Sequence, residues 1–226
     1  MRILSRQMLL STLCITVMIG FVIHANAAVV SLFDNYTLGF QTSAGNTISG
    51  SNTGVSGLSY QEVGQIFTPS QTAKLSEIDA PFGYVQGTNS ITLSLYTDNS
   101  GNPGTQLEQW SITGLQAFST GSTTMVVTSN ITPQLNAGSD YWLVAAPGAS
   151  NTWAAWNLTQ NSITGYEINS NPNNPNWITK SGTSSAFAVY GTPVQNQNVP
   201  EPGILSTLLG IGTAGGGMFL RKFRKA

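Results

Sequence analysis

The chain is 226 residues long, only 8% of them charged, with a formal net charge of −1. Its single cysteine, Cys14, and single histidine, His24, both lie in the first 27 residues. Removal of that segment leaves no disulfide, thiol nucleophile, Ser-His-Asp triad or His/Cys zinc site, and stability must come from burial.

The first 27 residues have the layout of an export signal. Arg2 and Arg6 are basic, residues 8–23 are apolar, and Ala25-Asn26-Ala27 has the A-x-A form of a cleavage site. The pattern predicts a signal helix and peptide over residues 1–27, with Ala28 as the first mature residue. Cys14 follows Ser11-Thr12-Leu13 inside the apolar stretch, without the small residues that precede a lipidated cysteine, which argues against a lipoprotein.

Residues 28–198 carry two lysines, Lys74 and Lys180, against eight carboxylates, a net charge of −6. Such a surface has no stripe for phosphates, which excludes nucleic acid as the expected partner. The region has no helical period. Short alternating runs are separated by Gly, Asn, Ser and Pro clusters, the pattern of an antiparallel β-sandwich. Residues 90–97 alternate most clearly: Ile91, Leu93 and Leu95 point one way, and Thr92, Ser94 and Tyr96 the other. Further strands are predicted at 29–33, 60–68, 74–80, 108–112, 123–128, 140–146, 152–157, 163–168 and 185–191. Turn-rich stretches fall at 43–57, 98–104, 148–151 and 169–176. In the strand at 140–146, Tyr141 and Leu143 share one face and Trp142 takes the other. The expectation is an all-β, jelly-roll-like domain over residues 28–191 and a linker over 192–198.

Three kinds of site deserve weighing. Asp98-x-Ser100-x-Asn102 is oxygen-rich, but Pro103 and Gln109 stand where a calcium-binding EF-hand loop needs Gly and Glu. Asp98 is therefore a weak calcium candidate, and a plain hairpin loop is favoured; no metal or other cofactor is expected. Glu62, Glu77, Glu108 and Glu167 are the glutamates from which a glycan hydrolase or lyase would draw, but no two form a recognisable motif. Trp153, Trp156, Tyr166 and Trp177 fall among Asn-rich loops, and flat rings stack on sugars, so extracellular polysaccharide is a candidate partner. Trp153 and Trp156, three apart on one strand, face opposite ways, which sends at least one of them to the core.

The C-terminus has the physical layout of a membrane-length segment with a basic stop. Val199-Pro200-Glu201-Pro202 precedes an uncharged stretch, 203–220, of eighteen residues. As a helix this is about 27 Å long, close to the ~30 Å of a hydrocarbon core. Arg221, Lys222, Arg224 and Lys225 follow and would hold that end in the cytoplasm. Six glycines make the single membrane helix a mediocre anchor. Gly212-x-x-x-Gly216 fits a helix-dimer spacing, although glycine richness alone accounts for it.

The tail, 199–226, resembles the PEP-CTERM sorting signal of exported bacterial proteins. That resemblance implies a Gram-negative host, recognition of Val199, Pro200, Glu201 and Pro202 by an exosortase-like enzyme after signal peptidase has acted, transient anchoring in the inner membrane, and release to the surface. A permanent single-pass anchor is the alternative. Two internal segments, Leu93-Ser94-Leu95-Tyr96-Thr97-Asp98 with Gly101-Asn102-Pro103-Gly104, and 135–143 with Trp153 and Trp156 beyond, resemble a choice-of-anchor domain, as does the closing Phe187-Ala188-Val189-Tyr190-Gly191. Such domains are extracellular β-sandwiches without a general activity. The expectation is a non-catalytic structural or carbohydrate-interacting surface protein, with a carboxylate-dependent glycan hydrolase or lyase as the alternative.

Overall fold

The computed structural model describes residues 28–161, 163–169 and 177–194. Thirteen strands and no helix occur among them. They form two antiparallel sheets packed as a β-sandwich. The helices expected at the two ends lie outside the described residues.

The seven-stranded sheet runs β1 (Val30–Asp34), β13 (Ala188–Pro193), β4 (Ala73–Gln86), β10 (Trp153–Thr159), β2 (Phe40–Ser49), with β7 (Thr123–Thr128) and β8 (Gln134–Leu135) also on β4. The six-stranded sheet runs β12 (Ile178–Thr183), β11 (Thr164–Asn169), β3 (Glu62–Phe67), β9 (Tyr141–Pro147), β5 (Ser90–Asp98), β6 (Pro103–Thr113). Ile91, Leu93 and Leu95 are buried in the core, as their alternation predicts. Tyr141 and Leu143 point in beside them, while Trp142 is buried on the opposite face.

Several elements differ from the sequence expectation: β4 and β6 are longer than 74–80 and 108–112, β8 is an added short strand, and three further differences bear on the fold. Residues 43–49 continue β2 rather than forming a turn; this part of the strand is small or polar apart from the buried Ile48, so no apolar alternation reveals it. It is held at the sheet edge by pairing with β10 and by the Asn157 side chain, which donates to the Gln41 and Thr42 carbonyls at 2.8 and 3.1 Å. β12 was also unforeseen, being a largely exposed edge strand with one large apolar residue, Ile178. β13 continues through Pro193, two residues past the expected domain end at Gly191.

The β5–β6 hairpin closes as the expected turn. Ser100 and Gly101 have φ of 57° and 80°, and the Asn99 N–H donates to the Asn102 carbonyl at 2.8 Å. Two successive left-handed residues suit the right-handed twist of the flanking strands.

The long strand β4 organises the first sheet. Ala73–Asp79 pair with β13, whereas Phe82–Gln86 pair with β10. Pro81, without an N–H, sits at the change of partner. The gap between β13 and β10 is bridged by residues 184–187. There the Asn157 carbonyl accepts from the Ala186 N–H at 2.9 Å, and the Trp156 indole donates to the Ala186 carbonyl at 2.8 Å. Asn35, 2% exposed, clamps the same segment: its amide donates to the Ser185 carbonyl at 2.8 Å and accepts from the Phe187 N–H at 2.7 Å. Phe187 is thereby set between Phe33, Phe67 and Trp156, at ring separations of 4.7, 5.8 and 5.9 Å.

Asn35→Ala is expected to leave the Phe187 N–H and Ser185 carbonyl without their buried partner. Each such loss costs ~1–3 kcal/mol, so the variant should unfold about 2–4 kcal/mol more easily. Urea titration monitored by tryptophan fluorescence measures this. A change below about 0.5 kcal/mol would mean that the clamp does not hold the segment.

Candidate functional site

Strand alternation builds a groove on the outer face of the six-stranded sheet. In β3, Val63 and Phe67 enter the core while Glu62, Gly64 and Ile66 face out. In β9, Trp142, Val144 and Ala146 lie opposite to the inward Tyr141, Leu143 and Ala145. Register then assembles rows across the sheet. One runs Asn169, Glu62, Ala146, Thr92; the next Glu167, Gly64, Val144, Ser94, Gln109; the third Ile66, Trp142, Tyr96.

The first two rows carry short side chains on β9 and β5, whereas longer ones stand on β11 and β6, at Glu62 on β3 and at Tyr96 in the third row. Thr92, Ser94, Val144 and Ala146 therefore form a low floor. Glu62, Asn169 and Trp177 rise on one side, and Tyr96 and Gln109 on the other. The groove encloses about 330 Å³, at the small end of the ~300–1,000 Å³ of ligand clefts.

Trp177 is placed by a close fit. Its ring lies 5.3 Å from that of Trp142 at an interplanar angle of 58°. Beneath both is Gly64, where a Cβ would come within 2.8 Å of the Trp177 ring and 3.0 Å of the Trp142 ring. Trp142 is held from its other end, its indole N–H donating to Asp98 Oδ1 at 2.8 Å. The weak calcium candidate Asp98 is thus engaged by N–H donors: it also accepts from the Gly101 N–H at 3.1 and 3.2 Å. Among the described residues no group of His, Cys, Asp and Glu is arranged to hold a metal ion.

Glu62 lies in a small polar network. The Tyr60 hydroxyl donates to Glu62 Oε1, and the Asn169 amide donates to Oε2 at 3.3 Å. Burial, the hydrogen bond to Glu62 and the charges of Glu62 and Tyr96 push the Tyr60 phenol well above its ordinary value, so it stays a donor. Gln109 donates to the Ser94 hydroxyl at 3.2 Å, and the Tyr96 hydroxyl donates to Gln106 at 3.1 Å.

The other candidate residues are dispersed. Trp156 is fully enclosed in the core, where its face is closed to any ligand. Trp153, on the same strand, is half-buried on the outer face of the seven-stranded sheet. Tyr166 packs against the core from β11. Trp177 alone of the four lines the groove. Of the glutamates, Glu62 lines the groove. Glu108 is buried and holds the following loop: it accepts from the Ser129 hydroxyl at 2.5 Å and the Asn130 N–H at 2.6 Å. Glu167 occupies the row of Gly64 without lining the groove, and Glu77 belongs to the other sheet. Tyr96 and Gln109 escaped the sequence reading as site residues, although the alternation of residues 90–97 already turned Tyr96 outward. Residues Ala25, Ala27, Val199, Pro200, Glu201, Pro202, Arg221, Lys222, Arg224 and Lys225 lie outside the described residues, whereas Ala28 is the first of them. No helix among the described residues is long and apolar enough to cross a membrane.

The other sheet carries an acidic row on its outer face. Asp34 and Asp79 flank Ala188 in register across β1, β13 and β4, and Glu77 lies opposite Tyr190. Burial, then the charges of Glu77 and Asp34, push the Asp79 carboxyl above its ordinary value, and burial with the same carboxylates raises the Tyr190 phenol. Asp79 Oδ1 is buried without a hydrogen-bond partner.

The chain matches no protein-family model, and no curated protein matches it.

Two predictions follow from this geometry. Gly64→Val drives a branched side chain into the two tryptophan rings; overpacking of this kind costs ~1–3 kcal/mol. Near-UV circular dichroism should show the tryptophan signal altered, and an unchanged spectrum and melting point would rule out the fit described. For Asp79, a raised native pKa means that the folded state holds the proton more tightly than the unfolded one. Its contribution is fully present below the unfolded value of about 3.9 and is lost as pH rises through the higher native value. Asp79→Asn is expected to melt at a higher temperature than the parent at neutral pH and at nearly the same temperature at pH 3. A gap that instead widens towards pH 3 contradicts the assigned direction.

Proposed function

We propose that this chain is an exported, non-catalytic surface protein that is released through its C-terminal tail and contacts extracellular polysaccharide through its groove. The observation that supports the glycan contact most directly is the groove itself: a tryptophan ring beside a floor of hydroxyl and short apolar side chains. Support for the non-catalytic role is that Glu62 is the sole carboxylate among the described residues that line the groove, whereas glycoside hydrolysis uses a pair. The hydrolase or lyase reading predicts new reducing ends when the protein is incubated with a glycan; the binding reading predicts none.

The sandwich is of jelly-roll-like type in this reading. Neighbours in the six-stranded sheet, such as β3 with β9 and β9 with β5, come from distant parts of the chain, in keeping with strands that pass from sheet to sheet. In this reading the domain lies outside the inner membrane, which the choice-of-anchor and PEP-CTERM resemblances support. Pro200-Glu201-Pro202 is read by the processing enzyme, and residues 203–220 with the basic cluster hold it in position.

Replacing Pro200, Glu201 and Pro202 together by Ala leaves the uncharged span intact. The triple variant is expected to insert normally yet accumulate in the inner membrane, while the parent reaches the outer fraction. Fractionation in the native host measures both. Equal distributions would leave a permanent single-pass anchor as the better account.

A further inference from the structure

We infer that the groove is selective for uncharged sugar rings and rejects acidic ones, with Glu62 as the discriminating residue. This rests on the reading of the groove as a glycan site and names the class of sugar it takes.

Trp177 offers an aromatic ring on one side, and Gln109, Ser94, Thr92 and Asn169 bring amide and hydroxyl groups to the lining. Amides and hydroxyls both donate and accept, as sugar hydroxyls do. Glu62 is the one carboxylate among the described lining residues, and no lysine or arginine is among them. Lys74 lies on β4 in the other sheet, and Lys180 lies on β12, opposite Tyr166, whose ring packs towards the core.

A neutral ring can donate a hydroxyl to Glu62 in a charge-assisted hydrogen bond, stronger than a bond between neutral groups. A uronic acid ring would instead bring a second carboxylate into a cleft with no basic side chain among its described lining residues. Like-charge juxtaposition is a standard means of refusing the wrong partner. The net charge of −6 over residues 28–198 acts in the same direction at longer range. Tyr60 and Asn169 hold the Glu62 carboxylate in place by hydrogen bonds to its two oxygens.

The test is calorimetric titration of the full chain in a zwitterionic, sugar-free detergent. The probes are cellohexaose, maltohexaose, chitohexaose and hexagalacturonate. At least one of the three neutral probes is expected to bind saturably, and hexagalacturonate at least about tenfold more weakly. Trp177→Ala should weaken the neutral probe by about tenfold, the scale of a lost ring contact. Gln109→Ala, an exposed position that leaves the core untouched, should weaken it in the same direction and serves if Trp177→Ala does not fold. Glu62→Gln keeps a hydrogen-bonding amide but removes the charge, so it should narrow the gap between neutral and acidic probes. Hexagalacturonate binding the parent as well as a neutral probe, or a gap unchanged by Glu62→Gln, overturns the selectivity while the glycan site stands. Failure of all four probes to bind overturns the glycan site itself, and with it this inference.

Discussion

The hydrogen bonds of Asn35 set the constraint on which the rest of the sandwich depends. β4 exchanges β13 for β10 along one edge, and the two partners leave an interruption in the sheet at Pro81. The segment 184–187 fills it, and one amide side chain satisfies a donor and an acceptor of that segment at once. The arrangement also turns Phe187 into the space between the sheets, where it meets aromatic rings from β1, β3 and β10. Core packing and backbone pairing are therefore settled by the same short piece of chain.

A protein with 8% charged residues must meet its buried polar groups by other means. Here amides and hydroxyls do so. Asn157 holds the edge strand β2, Asn46 donates to Ser185 at 2.9 Å, and Asn89 both donates to the Leu115 carbonyl and accepts from the Leu115 N–H at 2.8 Å. Neutral hydrogen bonds of this kind avoid the desolvation that a buried ion pair incurs. Glu108 is a buried exception, its charge met by the hydroxyl and backbone N–H groups of residues 129–131.

The groove arises from the same economy of side chains on the outer face of the six-stranded sheet. Gly64 leaves room for two tryptophan rings, so Trp142 is buried although it points away from the core. Trp177 over it makes one wall, and the short residues of β5 and β9 make the floor. Glu62, held by Tyr60 and Asn169, gives the groove a fixed negative charge on a surface otherwise of amides and hydroxyls.

Much of the fold is legible in local pattern. Alternation marks β5 and predicts which side of β9 carries Trp142, and residues 123–128 become β7 with the expected ends. Local pattern could not reveal β2, because Ile48 is the one large apolar residue over 43–49 and pairing with β10, rather than an apolar alternation, specifies the strand. For the site, the sequence by itself determined that Trp177 was a ring among amide-rich residues, that Tyr96 faced away from the core, and that few charges were present to oppose Glu62. Which of these residues meet was decided only by tertiary structure. Glu62, Tyr96, Gln109, Asn169 and Trp177 lie up to more than a hundred positions apart, and the register of β11, β3, β9, β5 and β6 brings them to one surface. Cross-strand pairing sets those neighbours, and because side chains alternate with a period of two, a slip of one residue would turn a strand's groove residues towards the core.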